Sequence, residues 1–215
     1  MRLTGLPGLL ETGPLGDRVL AIRDGPVNLF AVKGPEGLLC IDAGWRSGQV
    51  KRGFDILGLN LGDVAAVFLT HMHWDHARCA HLFPNAQTYW CAEKRSAHFE
   101  GRRRLPRVEI GVGDGQCFEA AGLSVRVVGT PGHTPDSLSY IVDGNLLFCG
   151  DALRLVYGEV QPFMPWINRD NGAALRSIRK LAALEGIESL LTAHTGCSRD
   201  APRAFRRWRD DFETI

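Results

Sequence analysis

Apolar positions along the chain fall into two kinds of run. Short blocks rich in β-branched and aromatic residues, bounded by Gly, Pro and Asp, predict strands. RVLAIR (18–23), VNLFAVK (27–33) and GLLCID (37–42), divided by DGP and GPEG turns, read as an antiparallel meander. DVAAVFLT (63–70), AQTYWC (86–91), GLSVRVVG (122–129), LSYIV (138–142), NLLFC (145–149) and IESLLTA (187–193) continue the series. Other stretches repeat at helical spacing. RSGQVKRGFDILGLN (46–60) carries Val50, Phe54, Leu57 and Leu59, and a second helical pattern runs from Trp74 to Phe83, stopping at Pro84. DNGAALRSIRKLAALEG (170–186) is amphipathic with Gly186 as its stop, and APRAFRRWRDDF (201–212) places Phe205, Trp208 and Phe212 on one face. The strands come in two groups, each followed by helices. That order predicts an α+β protein, two sheets packed together with helices outside, in one domain spanning 1–215.

Bulk properties narrow the partners. The chain has 215 residues, 45% hydrophobic and 23% charged, and a formal net charge of +1. No global field points to nucleic acid or a membrane surface. No apolar run approaches the ~20 residues of a membrane span, and the Gly- and Pro-broken N-terminus is no secretory h-region. A cytoplasmic protein acting on a small molecule is expected; oligomeric state is not legible. Six cysteines at 40, 79, 91, 117, 149 and 197 form no C-x-x-C and read as small hydrophobic residues of a reducing compartment.

The stretch THMHWDHARC (70–79) changes the picture, because three of the seven histidines stand within it. His71 and His73 are two apart on an extended segment, so their rings point the same way. Asp75 and His76 are adjacent at a helix start, so they diverge and can serve a second centre. Three later apolar runs, VVGTPGH, NLLFCGD and SLLTAH, also end in turn-forming residues and then deliver His133, Asp151 and His194. Buried strands lie side by side, so their ends share one edge of a sheet. This predicts two metal centres, His71, His73 and His133 on one and Asp75, His76 and His194 on the other, with Asp151 bridging. Such nitrogen and oxygen donors suit zinc, iron or manganese. His81 and His98 fit no ligand pattern.

His71-x-His73-x-Asp75-His76, followed by TPGH, GD and AH, resembles the metallo-β-lactamase fold superfamily over roughly Val27 to Cys197. The resemblance implies a four-layer αβ/βα sandwich with the site at one edge of its two sheets. It also implies that Asp42, in CIDAG, orients a ligand histidine. The expected cofactors are two divalent ions, zinc before iron or manganese. Two such ions about 3.5–4 Å apart hold a water and lower its pKa, so a metal-bound hydroxide is the expected nucleophile. Asp75 is the candidate catalytic proton acceptor, beside its role as a ligand. Candidate pocket residues are Trp74 inside the motif, Arg154, and Tyr157, Phe163 and Trp166 in the aromatic, Pro-rich segment 156–169. The segment 95–107 is locally basic and reads as a solvated loop.

Departures from individual branches sort the activities. Only 21 residues follow His194, room for one helix, whereas hydroxyacylglutathione hydrolases carry a helical extension that binds glutathione. Similarity to true β-lactamases is weakened by Asp151, which they generally lack, and similarity to acyl-homoserine-lactone lactonases by Arg154 standing where they place a tyrosine, with Tyr157 the remaining substitute. Flavodiiron-type enzymes usually carry a glutamate at the position of His73. The expectation is a dinuclear hydrolase of a carboxylic ester, lactone or thioester. The alternative is an oxidoreductase, since GDAL and TPGH also resemble the iron-dependent persulfide dioxygenases.

Overall fold

The computed structural model of the chain describes residues 8–92 and 109–210. In chain order the strands are β1 (Gly13–Pro14), β2 (Val19–Asp24), β3 (Val27–Gly34), β4 (Gly37–Ile41), β5 (Val64–Phe68), β6 (Gln87–Cys91), β7 (Glu109–Val112), β8 (Cys117–Ala120), β9 (Leu123–Gly129), β10 (Leu138–Val142), β11 (Leu146–Phe148), β12 (Leu153–Val156), β13 (Glu159–Pro162), β14 (Ser189–Thr192) and β15 (Gly196–Ser198). The helices are α1 (Ser47–Ile56), α2 (Trp74–Ala77), α3 (Asn171–Ala182), α4 (Ala201–Ala204) and α5 (Arg206–Asp210).

Strands β1 to β7 form one sheet in sequence order, antiparallel through β4 and parallel from β4 to β7. The second sheet runs β15-β14-β11-β10-β9-β8. In it β9 and β11 both run antiparallel to β10, and β14 runs parallel to β11. The C-terminal ends of β9, β11 and β14 therefore share one edge. Apolar side chains alternate between faces along each strand, as the two-residue period requires. Phe30, Ile41, Phe68 and Tyr89 of the first sheet meet Val125, Val127, Tyr140 and Phe148 of the second in the central layer. Ile22, Leu29, Cys40 and Leu69 face the other way, onto Val50 and Phe54 of α1. Ile141, Leu147 and Leu190 face α3 and α4 through Ile178, Leu181 and Phe205. The result is a helix–sheet–sheet–helix sandwich of the α+β class, as the resemblance implied.

Several element boundaries differ from the expected ones. The helix expected from Trp74 to Phe83 is a single turn, α2, followed by a 3-10 turn at 80–82. Its ladder is diverted: the His76 carbonyl accepts from Ala43 N at 2.6 Å, and Cys79 N donates to Gly44 O at 3.0 Å. α3 ends at Ala182, before Gly186, because the chain turns early to bury Ile187 and enter β14. The closing helix breaks at Phe205 into α4 and α5; Phe212, like the basic segment 95–107 with His98, lies outside the described residues. Within the expected pocket lip 156–169, Val156 to Pro162 belong to a hairpin, β12–β13. Among the described residues, no helix is long and apolar enough to cross a membrane, and the cysteines are free thiols, Cys40, Cys79, Cys91 and Cys149 being buried.

Candidate metal centre

Two sheets meet at the edge where β5, β9, β11 and β14 end. Leu138 N donates to Thr70 O at 2.7 Å, the Tyr140 hydroxyl to Leu69 O at 2.6 Å, and Asn28 N to Ala193 O at 2.7 Å. The first two bring the segment after β5 against β10 of the second sheet, and the third brings β3 against the turn after β14. Two glycines make the approach possible. A Cβ on Gly132 would stand 2.4 Å from the Ala174 backbone, and one on Gly150 (φ +51°) would stand 2.5 Å from Thr70 Oγ1.

All seven residues expected as ligands converge there. His73 Nδ1 lies 3.0 Å from His71 Nε2 and 3.0 Å from His133 Nε2. His76 Nε2 and His194 Nε2 each lie 3.7 Å from Asp75 Oδ2. Asp151 stands between the two sets. Its Oδ1 is 3.3 Å from His194 Nε2 and 3.5 Å from His76 Nε2, while its Oδ2 is 3.3 Å from His133 Nε2. The donor atoms of His71, His73 and His133, and those of Asp75, His76 and His194, each lie within 4.8 Å of one another.

The opposite ring atoms are held from outside. Asp42 Oδ2 lies 2.8 Å from His76 Nδ1, and its Oδ1 accepts from Thr70 N at 2.8 Å. His194 Nδ1 donates to the Pro26 carbonyl at 2.7 Å, and Thr70 Oγ1 sits 3.1 Å from His71 Nδ1. Asp42 thus occupies the position expected of it against a histidine. Thr70 and Pro26 were not singled out from sequence. Thr70 directly precedes the motif and was findable; a backbone carbonyl from a turn carries no residue-type signal.

This donor set fits cations. His76 Nε2 and Asp151 Oδ1 are buried without a hydrogen-bond partner, a costly arrangement for polar atoms unless something else satisfies them. Burial pushes His71 well below the usual imidazole range, helped by His76, and lowers His73 to about 4, helped by His133; burial also lowers His133. Neutral rings keep the lone pairs that metal ligation uses. Burial would lower His76 too, but the Asp42 and Asp151 carboxylates outweigh it and raise it to about 10. Burial opposes ionisation of Asp151, yet His194 and His76 hold it well below the usual carboxylate range.

A cavity of about 1470 Å³ opens over the centre. Trp74, Arg154, Tyr157 and Phe163 line it, together with Met164 and Ile167 of the expected lip segment 156–169, which were not singled out, and Met72 and Arg78, which were not expected. The Phe163 ring lies 5.2 Å from His133 and 5.8 Å from His194, centre to centre. Trp74 is half exposed, its ring 4.3 Å from Trp45. Trp166 is 79% exposed and does not line the cavity. Tyr157 is fully exposed at the hairpin tip, three residues beyond Arg154, which pairs with Gln161 across the hairpin. His81 also lines the cavity, its Nδ1 2.9 Å from Arg78 O.

The sequence model of the metallo-β-lactamase superfamily matches residues 22–186, and the chain belongs to that superfamily. Its curated relatives include a hydroxyacylglutathione hydrolase of Glaesserella parasuis, 39% identical over 41% of this chain and 35% of the relative. A probable metallo-hydrolase of Methanocaldococcus jannaschii is 28% identical over 67% and 64%. A probable polyketide biosynthesis zinc-dependent hydrolase of Bacillus velezensis is 29% identical over 58% and 53%. The chain thus spans about one to two thirds of the length of these relatives. Among solved structures, the Rm3 metallo-β-lactamase superposes with a TM-score of 0.71 at 17% identity, over 97% of both chains. A metallo-β-lactamase family protein of Thermus thermophilus gives 0.67 at 23% identity, over 91% of this chain and 78% of that one. At those identities the likeness speaks for the fold alone.

Proposed function

We propose that this chain is a metal-dependent hydrolase of carboxylic esters, lactones or thioesters, with thioesters first. The observation that carries the reading is the convergence of two three-residue donor sets on one buried carboxylate, Asp151. His71, His73 and His133 would hold one divalent cation and Asp75, His76 and His194 the other, with Asp151 between them. Zinc is the first choice, iron and manganese the others. Cations bound there supply a water activated at neutral pH and an electrophile for the substrate's carbonyl oxygen.

The chain's own residues supply orientation and proton transfer. Asp42 and the Pro26 carbonyl engage the Nδ1 atoms of His76 and His194, which leaves both Nε2 atoms facing the centre. Asp75 is the least buried carboxylate of the cluster, its side chain 17% exposed, so one oxygen can meet incoming water. Asp75 accepts that water's proton and returns it to the leaving group. Phe163 covers His133 and His194 from the cavity side and limits the water that reaches them. Thioesters come first because hydroxyacylglutathione hydrolases recur among the relatives.

Elemental analysis of protein purified without added metal, with assays on esters, lactones and thioesters, tests the reading. Two zinc or manganese ions per chain and turnover of one of these classes support it. One iron, with oxygen uptake in the presence of a persulfide, replaces it with an oxidoreductase. His73→Ala is expected to remove nearly all turnover, by at least about 100-fold, while circular dichroism keeps the native spectrum; unchanged turnover refutes the assignment.

A further inference from the structure

Three of the histidines at the centre have a neighbour against Nδ1: Thr70 Oγ1 for His71, the Asp42 carboxylate for His76 and the Pro26 carbonyl for His194. His133 differs. Its Nδ1 is buried and has no hydrogen-bond partner, a costly state for a ring nitrogen. A second orphan lies on the loop between β13 and α3, where Asn168 Oδ1 is also buried without a partner. Backbone bonds hold that loop against the histidine, since Arg169 N donates to the Gly132 carbonyl at 2.9 Å and to the His133 carbonyl at 3.2 Å. Neighbours also fix which way the Asn168 amide faces. Asn171 Nδ2 donates to the Pro165 carbonyl at 3.1 Å, which can only accept, so Asn171 Oδ1 is left as an acceptor. Asn168 Nδ2 donates to that oxygen at 2.9 Å, and the Asn168 carbonyl oxygen is the group left to offer the ring.

The two orphans are complementary, a ring N–H and an amide oxygen. Burial lowers His133, and the Asn168 side chain works against that, as an acceptor beside a ring N–H does. We infer that Asn168 is a positioning residue for His133: its carbonyl oxygen takes the Nδ1 proton's hydrogen bond and so keeps the lone pair on Nε2, the atom that faces His73 and Asp151. The same amide ties this histidine to the cavity wall, because Asn168 follows Ile167 directly, and Met164 and Ile167 line the cavity. As a statement about metal affinity this rests on the metal-centre reading above; as a statement about the ring's tautomer it does not.

The test reads the ring before it reads turnover. In metal-free wild type at neutral pH, long-range nitrogen–proton NMR correlation is expected to find the His133 proton on Nδ1, with His133→Gln assigning the signal. In Asn168→Leu the proton spreads over both ring nitrogens, and zinc affinity, read by competition with a chromophoric chelator, falls by about 10- to 100-fold. Asn168→Asp gives up the bond to Asn171 but keeps an acceptor oxygen, and it returns the Nδ1 proton and most of the affinity. A wild-type proton on Nε2 overturns the inference, as does an Asn168→Leu protein that matches wild type in both measurements. A loss that Asn168→Asp does not restore marks a packing role and overturns it too. If no ester, lactone or thioester is hydrolysed yet tautomer and zinc affinity follow Asn168, the hydrolase reading falls and this one stands. Turnover with both measurements indifferent to Asn168 removes this one alone.

Discussion

Asp42 sits at φ +62°, a region that L residues seldom adopt and that Asn and Asp tolerate best after Gly. The unusual backbone aims one carboxylate at three donors: Thr70 N, the Thr70 hydroxyl and the His76 ring. Asp42→Asn keeps the shape and the φ preference but removes the charge and one acceptor oxygen. His76 then loses the partner that fixes its tautomer. A partner of this kind is typically worth about 10- to 100-fold in metal affinity. The expected outcome is a loss of that size in metal affinity, read by competition with a chromophoric chelator. Metal affinity equal to wild type would mean that Asp42 serves the turn rather than the metal. Asp42→Ala is the less informative variant, because it adds strain at the same φ and confounds orientation with folding.

At the scale of elements, the loop between β13 and α3 forms one wall of the cavity and is pinned at its α3 end. Arg169 N and Asp170 N donate to the Gly132 carbonyl at 2.9 Å each, and the Asp170 side chain caps α3 by accepting from Ala173 N at 2.9 Å. Asp170→Ala removes the cap. It is expected to cost about 1 kcal/mol, seen as a lower denaturant midpoint, and to raise KM through a looser Phe163–Ile167 wall; a KM equal to wild type would show that the wall is held without the cap. The same region marks where the sequence was legible. The strands β3, β5, β10 and β14 are buried along most of their length and read as continuous apolar runs. β12 and β13 are half-buried and alternate, and Tyr157-Gly158 turns them with both φ angles positive, +52° and +80°. Such two-residue turns normally announce themselves with Asn-Gly or Asp-Gly; a tyrosine there, followed by prolines, reads as an irregular loop. The histidines and aspartates were legible because each follows an apolar run, and the strand ends that carry them share an edge. Met72, Met164 and Ile167 were not, because an apolar side chain facing a cavity has the same composition as one facing the core.

Across the whole molecule, the centre joins two sheets that are each already built. His71, His73, Asp75 and His76 follow β5 of the first sheet, and His133, Asp151 and His194 follow β9, β11 and β14 of the second. The central layer packs Phe68 against Tyr140, ring centres 5.2 Å apart, and three hydrogen bonds cross at the same edge. The sandwich is therefore expected to form without a cation, unlike a zinc finger, whose fold is the binding event. A cation still binds the folded state and not the separated loops, so it adds stability by mass action, about 2.7 kcal/mol at a free concentration 100 times Kd. For a chain of this length each kcal/mol is about 2–4 °C. Chelation is expected to lower the melting temperature by roughly 5–10 °C on that basis, with far-UV circular dichroism at 25 °C unchanged and zinc restoring the transition. His133→Ala, which breaks the second sheet's part of one donor set, is expected to shrink that zinc-dependent increment while keeping a cooperative transition. A chelated protein that melts where the loaded one does would show that the two turns are held together without an ion, and the cross-sheet donor sets would lose their physical reason for facing one another.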